Sequence, residues 1–424
     1  MKLLIENCAK IESAEILVDG ITVIAGENNT GKSTIGKILF SLFNSMNDIQ
    51  QRILEQRKIE IQEVCKDIIN SCTLNVSRYF ISKRMAAEII EIYNLEVDES
   101  EKYKIIEDEL YKIIVRYTDE INAKEIVHLI IQKVKEILNV PEENILLEVF
   151  TRYFDNMFNN QINSLIQKES EAKLGLEIKG KKIHLSFEND KCIKFNTELL
   201  LINKAIFIDN PFVINKLDSY EKLDVTDSFL INLIEENENK DIMDGIIQSV
   251  LAKEKLEEIN KVVQEVVGGD ILRKDNGKYY LSQDNFKEPV LISNLSAGLK
   301  SFVLIKMLLE KGILKERDVL ILDEPEIHLH PKWQVVYAQL IILLQKQFDL
   351  SIVVTTHSPY FLDAIDLYSI KYGLDKKVNF YLSSMDNGSS VSMELVTGQI
   401  DKIYKKMATP IQALDTLRYE LNNN

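Results

Sequence analysis

The chain has 424 residues and a formal charge of −15; that length exceeds one ordinary core and predicts two domains, or one domain carrying a large insertion. Apolar residues make up 46% of it, while glycine and proline are scarce, which excludes a disordered or fibrous chain. The acidic balance excludes a protein that coats duplex DNA with its whole surface, since that task needs an excess of Lys and Arg, but leaves room for a local basic groove. The opening run Met1–Ile5 is cut short by Glu6, too soon for a signal peptide. No later stretch reaches membrane-spanning length without charges, so a cytoplasmic location with no membrane contact is expected. Cys8, Cys65, Cys72 and Cys192 are scattered without zinc-site or redox spacing and read as reduced structural thiols.

Short apolar, β-branched runs predict strands at Lys2–Glu6, Ala14–Val18 and Ile21–Ala25, the last two separated by Asp19-Gly20. The next segment, Gly26-Glu27-Asn28-Asn29-Thr30-Gly31-Lys32-Ser33, matches G-x-x-x-x-G-K-[ST] between a strand and the apolar-periodic helix Ile35–Phe43. That context gives the pattern its physical sense. Backbone N–H groups of the loop and helix start, through Gly26, Asn28, Asn29, Thr30, Gly31 and Thr34, surround phosphate oxygens. Lys32 reaches the β- and γ-phosphates, and Ser33 ligates Mg²⁺. ATP and Mg²⁺ are therefore the expected cofactors.

From about Ser45 to Ser170 the residues Ile, Leu, Glu and Lys recur at helical spacing with Pro141 as the one proline, predicting a compact helical insertion rather than a coiled-coil arm. Between Lys173 and Phe195 the period falls to two around a Gly180-Lys181 turn. Ala205–Asp209 reads as a buried strand, Thr226–Val267 as a charged helical stretch, and Ile271–Arg273 with Lys278–Leu281 as a hairpin through Asp275-Asn276-Gly277. Thereafter helix and strand alternate, as in a parallel α/β core. The expected domains are 1–45, an insertion lobe over 46–194 ending in short strands, and 195–424.

Three further motifs fall in this last part. Val319–Leu322 predicts a central strand ending in adjacent carboxylates. Asp323 is placed to hold the hydration shell of Mg²⁺, and Glu324 to act on the attacking water as general base. Leu295-Ser296-Ala297-Gly298-Leu299-Lys300 precedes the helix Ser301–Glu310 and makes a second anion site at a helix start, although such a segment alone is more often a plain N-cap. Ile352–Thr356 predicts a buried strand that ends in His357, a residue that by default would be a satisfied structural histidine.

The order of these motifs resembles the SMC/RecF/OLD-like branch of ABC ATPases over roughly 1–45 and 195–420, with Ser296-Ala297-Gly298 in place of the signature usually written L-S-G-G-Q. The wording Asp323-Glu324-Pro325-Glu326-Ile327-His328-Leu329-His330-Pro331 is typical of OLD-like defence ATPases. The resemblance implies an α/β fold: an ABC-type P-loop head with a parallel core sheet, an antiparallel β subdomain and a large helical insertion. It implies catalytic roles for Lys32, Glu324 and His357, a metal role for Ser33 and Asp323, and engagement of Ser296, Ala297 and Gly298 with the nucleotide of a second protomer. Glu326, His328 and His330 would then shape the loop facing that protomer; a metal pair at His328-x-His330 lacks a third ligand. Asp209-Asn210-Pro211 is a weak Q-loop candidate. Too little chain follows His357 for the Toprim nuclease of OLD proteins, so the layout resembles stand-alone ATPase subunits of antiphage systems such as Septu and PARIS. The expected function is nucleotide-driven homodimerisation, or higher assembly, that regulates a separate effector such as a nuclease. A RecF-like DNA-clamping repair ATPase is the alternative, and a transporter's soluble subunit is opposed by the insertion and by the Glu326-to-Pro331 wording.

Overall fold

The computed structural model describes residues 1–72, 78–167, 169–217, 223–236, 246–386 and 390–423. Three strands open the chain: β1 (Lys2–Cys8), β2 (Ile11–Leu17) and β3 (Ile21–Gly26). All six β3 residues are buried, the mark of a central strand, whereas β1 and β2 mix buried and open positions as half-buried antiparallel strands do. Helix α1 (Lys32–Met46) follows the phosphate-type loop, then α2 (Ile49–Ser71), α3 (Arg78–Tyr93), α4 (Glu99–Ile114), α5 (Glu120–Leu138) and α6 (Glu142–Phe158).

The chain then returns to strand with β4 (Ala172–Ile178), β5 (Lys181–Glu188), β6 (Lys191–Thr197) and β7 (Ala205–Ile208). Next come α7 (Val225–Glu236), α8 (Ile246–Val267), and the short strands β8 (Gly269–Arg273), β9 (Tyr279–Gln283) and β10 (Val290–Leu291). The expected helix over Thr226–Val267 is thus described as two, and its middle, 237–245, lies outside the described residues. The rest is α9 (Ala297–Glu310), β11 (Val319–Asp323), α10 (Pro331–Phe348), β12 (Ser351–Thr356), α11 (Pro359–Lys371), β13 (Val378–Asp386), β14 (Ser390–Leu395) and α12 (Asp401–Asn423).

Two compact units emerge: Met1–Asn47 with Phe150–Asn424, and Asp48–Val149. The first is built on an eleven-stranded sheet in the order β6-β5-β4-β1-β2-β14-β13-β3-β12-β11-β7. Its β13-β3-β12-β11-β7 half is parallel, and its β6-β5-β4-β1-β2 half antiparallel. This is the expected α/β head with its two kinds of sheet. One grouping differs from expectation. Strands β4–β6, joined from sequence to the helical lobe, pair through β4 with β1 and so continue the head sheet, because their period-two apolar face has the β1 surface to cover.

Helix α1 lies close under the parallel half. A Cβ on Gly36 would stand 2.7 Å from Ile321 and from the Phe207 ring, so only glycine admits that approach. Asn44, two turns on, donates to the Ala205 carbonyl at 2.8 Å and accepts from the Ala205 N–H at 3.0 Å. Its amide takes the place of a strand neighbour at the sheet edge, where open ladder groups are a liability.

The second unit is helical, with a core of Ile, Leu and Val from α2–α5: Ile61, Ile69, Ile89, Ile106, Leu110, Ile126, Ile130 and Val134 are buried in it. On α2 the buried positions Ile53, Arg57, Ile61, Cys65 and Ile69 fall four apart, one helical face.

Candidate functional site

Register brings the motifs together. In the parallel ladder Ala25 of β3 stands beside Thr356 of β12, and Thr355 beside Asp323 of β11. The carboxyl ends of three neighbouring strands therefore release the phosphate loop, the carboxylate pair and the histidine at one edge, the usual ligand side of a parallel sheet.

Lys32 is only 4% exposed. Its ammonium donates to the Gly26 carbonyl at 3.0 Å and the Glu27 carbonyl at 2.8 Å, and pairs with Glu324 Oε1 at 3.1 Å. Ser33 donates to Asp323 Oδ1 at 3.0 Å. Glu324 Oε2 lies 3.5 Å from His357 Nδ1. Lys32, Ser33, Asp323, Glu324 and His357 thus form one cluster. Glu324 adopts φ 48, a left-handed backbone that costs a non-glycine residue energy and is concentrated at functional positions. Beside the cluster, Thr30 is held by its hydroxyl bond to the Glu27 carbonyl and by Ser383, while Asn28 and Asn29 stand exposed.

Helix α1 starts at Gly31 without a side-chain cap, and an uncapped helix start offers N–H groups to a phosphate. With Lys32 as the fixed cation, that cradle fits a nucleoside triphosphate. Ser33 and Asp323 present hard oxygens within hydrogen-bond reach of each other, the donor type that Mg²⁺ selects. Among the described residues no group of three or more His, Cys, Asp or Glu side chains is gathered to hold a metal, which leaves the His328-x-His330 pair without a third ligand. His328 packs edge-on to Phe212, and His330 caps α10, its Nδ1 accepting from the Lys332 N–H at 3.3 Å.

The expected triad Ser296, Ala297 and Gly298 stands elsewhere. Helix α9 begins at Ala297, four residues earlier than its sequence period marks, with Ser296 as N-cap accepting from Leu299 N–H at 3.4 Å. The three residues line a cavity of 380 Å³ with His328, His330, Lys332 and Trp333. A Cβ on Gly298 would meet the His328 carbonyl at 2.9 Å, so this helix start and the loop after β11 fit together only through glycine. His328 also lines the small cleft that holds Asp209, Asp323 and Glu324. Desolvation, then the charges of Asp227, Asp224 and Asp323, push Asp209 up to about 6.

Several residues of the cluster escaped the motifs. Thr355 donates to Asp323 Oδ1 at 2.5 Å and accepts from the Glu324 N–H at 2.9 Å, fixing the Asp323 carboxylate and the Glu324 backbone from the next strand. Lys10, at the β1–β2 turn, donates to Asn29 Oδ1 at 2.7 Å and brings a second cation to the phosphate loop. The signal for Thr355 and Thr356 was present: two hydroxyls directly after the buried apolar run Ile352–Val354 need partners.

A phosphate cradle with a buried lysine, an Asp-Glu pair at the end of a parallel strand and a histidine beside them define an ATPase. The chain belongs to the AAA ATPase domain family, which it matches over residues 1–362. Among solved structures it is similar to an SMC head bound to the C-winged helix domain of ScpA, at 12% identity, TM-score 0.43, with 94% of this chain and 98% of that one covered. It is also similar to the SMC head domain from Thermotoga maritima (12%, TM-score 0.35, 93% and 98%). A third likeness is to an SMC head domain with an extended coiled coil bound to the C-terminal domain of ScpA derived from Pyrococcus furiosus (11%, TM-score 0.34, 95% and 98%). Among the described residues no helix is long and apolar enough to cross a membrane.

Proposed function

We propose that this ATPase is of the ABC type, closes as a dimer around two Mg-ATP, and uses that closure to control a separate effector, a nuclease of bacterial antiphage defence. The observation that carries the dimeric part is the separation of two half-sites. Lys32, Ser33, Asp323, Glu324 and His357 form one cluster, while Ser296, Ala297 and Gly298 open onto another cavity that no phosphate-loop residue lines. A signature that lines a cavity apart from its own phosphate loop suits the nucleotide of a second copy.

In this reading Lys32 neutralises the β- and γ-phosphates, and Ser33 with Asp323 holds Mg²⁺, which supplies charge neutralisation at the phosphate oxygens. Glu324 takes or orients the proton of the attacking water, and His357 reads the γ-phosphate through the nitrogen turned from the carboxylates. The effector assignment is supported by the Asp323–Pro331 wording alone.

The test uses Glu324→Gln, which keeps size and hydrogen bonding but takes no proton. ATP binding is expected to survive and turnover to fall by ~100-fold or more. With cysteines introduced at the exposed Glu27 and at Lys332, ATP should raise inter-chain cross-linking of this variant above the nucleotide-free level, and Ser296→Arg should abolish the gain. ATP binding without any gain sinks the composite site. Co-purification of the products of neighbouring genes tests the effector: a nuclease released or activated on closure supports it, and a steeply salt-dependent affinity for gapped DNA with no such partner favours the repair clamp.

A further inference from the structure

Glu326 lies in the loop after β11 and is 2% exposed. A carboxylate so buried needs partners. Its Oε1 accepts from the Thr356 hydroxyl at 2.5 Å and the His357 N–H at 3.0 Å, and stands 3.7 Å from His357 Nδ1. Its Oε2 has no hydrogen-bond partner among the described residues. Nothing in the catalytic cluster described above requires this group, yet it sits under the histidine with one oxygen unspent, the kind of exception that marks a functional constraint.

The contacts around it close into a ring. Thr356 Oγ1 accepts from the Ser358 N–H at 3.0 Å, and the Ser358 hydroxyl donates to Gln334 Oε1 at 2.6 Å. Gln334 Nε2 donates back to the Leu329 carbonyl at 3.1 Å and the Glu326 carbonyl at 3.4 Å. From carboxylate to backbone of one residue, the ring passes through the turn after β12, the first turn of α10 and the loop carrying His328. Thr356, Ser358 and Gln334 each bond to two members of the ring, so a shift of one segment breaks a bond to the next.

We propose that Glu326 is a positioning residue of the ATPase: its buried carboxylate, with the ring closed by Gln334, fixes His357 against Glu324 and makes the histidine and the loop of His328 and His330 move as one piece. The proposal rests on the ATPase reading of the cluster. Its geometry has a direct consequence. Glu324 Oε2 at 3.5 Å and Glu326 Oε1 at 3.7 Å both face Nδ1, which leaves Nε2 as the nitrogen presented to a phosphate. Because His328 lines both the Asp323-Glu324 cleft and the Ser296–Gly298 cavity, a displacement of His357 reaches the second cavity through this ring.

The experiment uses the full chain and steady-state ATP turnover, with nucleotide affinity measured on a non-hydrolysable ATP analogue. Glu326→Ala should lower kcat by ~100-fold while KM and analogue affinity stay within about threefold, and Gln334→Ala should lower kcat by ~10-fold. Glu326→Gln keeps an acceptor for Thr356 and the His357 N–H and should recover at least ~10-fold over alanine; it carries the test if the alanine variant does not fold. The deciding measurement is the pair with His357→Ala. A positioning role makes the double variant no slower than His357→Ala alone, whereas multiplied losses, or a loss seen in affinity rather than kcat, overturn the proposal. Turnover that survives Lys32→Ala sinks the ATPase reading, and the positioning role with it. Turnover that Lys32→Ala abolishes but Glu326→Ala leaves unchanged sinks the positioning role alone.

Discussion

The helical unit and the head obey different rules. In the helical unit the buried positions follow helical period and are almost all aliphatic, so local preference and packing agree. In the head, the rim where β3, β11 and β12 end buries Lys32, Glu326, Thr355 and Thr356, and gives Glu324 a left-handed backbone. Charges and strain persist there because each is held by a neighbour. Departures from the local rules locate the chemistry, and adherence to them marks the scaffold. Among the described residues the helical unit's departure in charge is Arg57, which occupies an interior place in the α2 stripe.

The largest effect that contrast predicts is at Lys32. Removing the ammonium with Lys32→Ala should weaken ATP binding by at least ~100-fold, since about 3 kcal/mol of charge-assisted contact to phosphate disappears. Isothermal titration reads it. Hydrogen exchange of α2–α5 should be unchanged in the same variant; a loss of protection there would show that the head's charged rim also supports the helical scaffold, and would break the division.

A smaller effect is expected at Arg57, which is 5% exposed. Its guanidinium donates to the Val140 carbonyl at 2.9 Å and lies 5.7 Å from the centre of the Tyr93 ring, while its Nε has no hydrogen-bond partner among the described residues. Arg57→Ala should cost about 2–4 kcal/mol by leaving a cavity and undoing those contacts. Arg57→Met keeps the stem's volume and removes the orphaned donor, so it should regain most of that stability, as replacing a buried charge by an apolar residue often does. Urea unfolding measures both. If methionine is as damaging as alanine, the guanidinium has a role beyond filling its place, and the helical unit is not merely scaffold.

This difference also explains what could be read from sequence. The phosphate loop and the Asp323-Glu324 pair were legible because their chemistry demands a fixed local spacing. The α/β alternation was legible because buried parallel strands are nearly continuous apolar runs, as Ile352–Val354 shows. The partners of the site were only partly so: the hydroxyls of Thr355 and Thr356 called for partners, but which groups they meet, and the reach of Gln334 and Lys10 to the site, depend on strand register and distant turns that no local pattern encodes. The membership of β4–β6 in the head sheet was not legible: a period-two pattern shows that a strand has one covered face without showing what covers it. Arg57 falls in the apolar stripe of α2, but its burial and its contact with Val140 emerge only from the fold.

The finest test sets two aspartates, one in each unit, against each other, with opposite signs. Asp119 caps α5 and accepts from the Ile121 and Asn122 N–H groups, both at 3.0 Å; the Asn122 N–H, foremost, holds its carboxyl below the ordinary 3.8. Its charge therefore stabilises the fold above the unfolded value, and that contribution is lost as pH falls through the lower folded one. Asp209 is the reverse. Its carboxyl lies among protein atoms and three other aspartates, although the residue as a whole stays open to solvent, and it is pushed up from 3.8 to about 6. Between those values the folded state binds more protons than the unfolded one, so stability falls as pH rises from about 4 to 6 and is level above. Asp209→Asn should thus be indistinguishable from the parent near pH 4 and more stable at pH 7, by on the order of 1 kcal/mol or less once solvent screening is allowed for. Asp119→Asn should be less stable than the parent at pH 7, with the deficit shrinking below about pH 4. Melting curves in a metal chelator between pH 3 and 7 measure both, the chelator keeping bound cations from masking the acidic group of the head. If Asp209→Asn gained as much at pH 4 as at pH 7, packing rather than charge would be responsible, and the crowding of carboxylates beside Asp323 would carry no electrostatic cost.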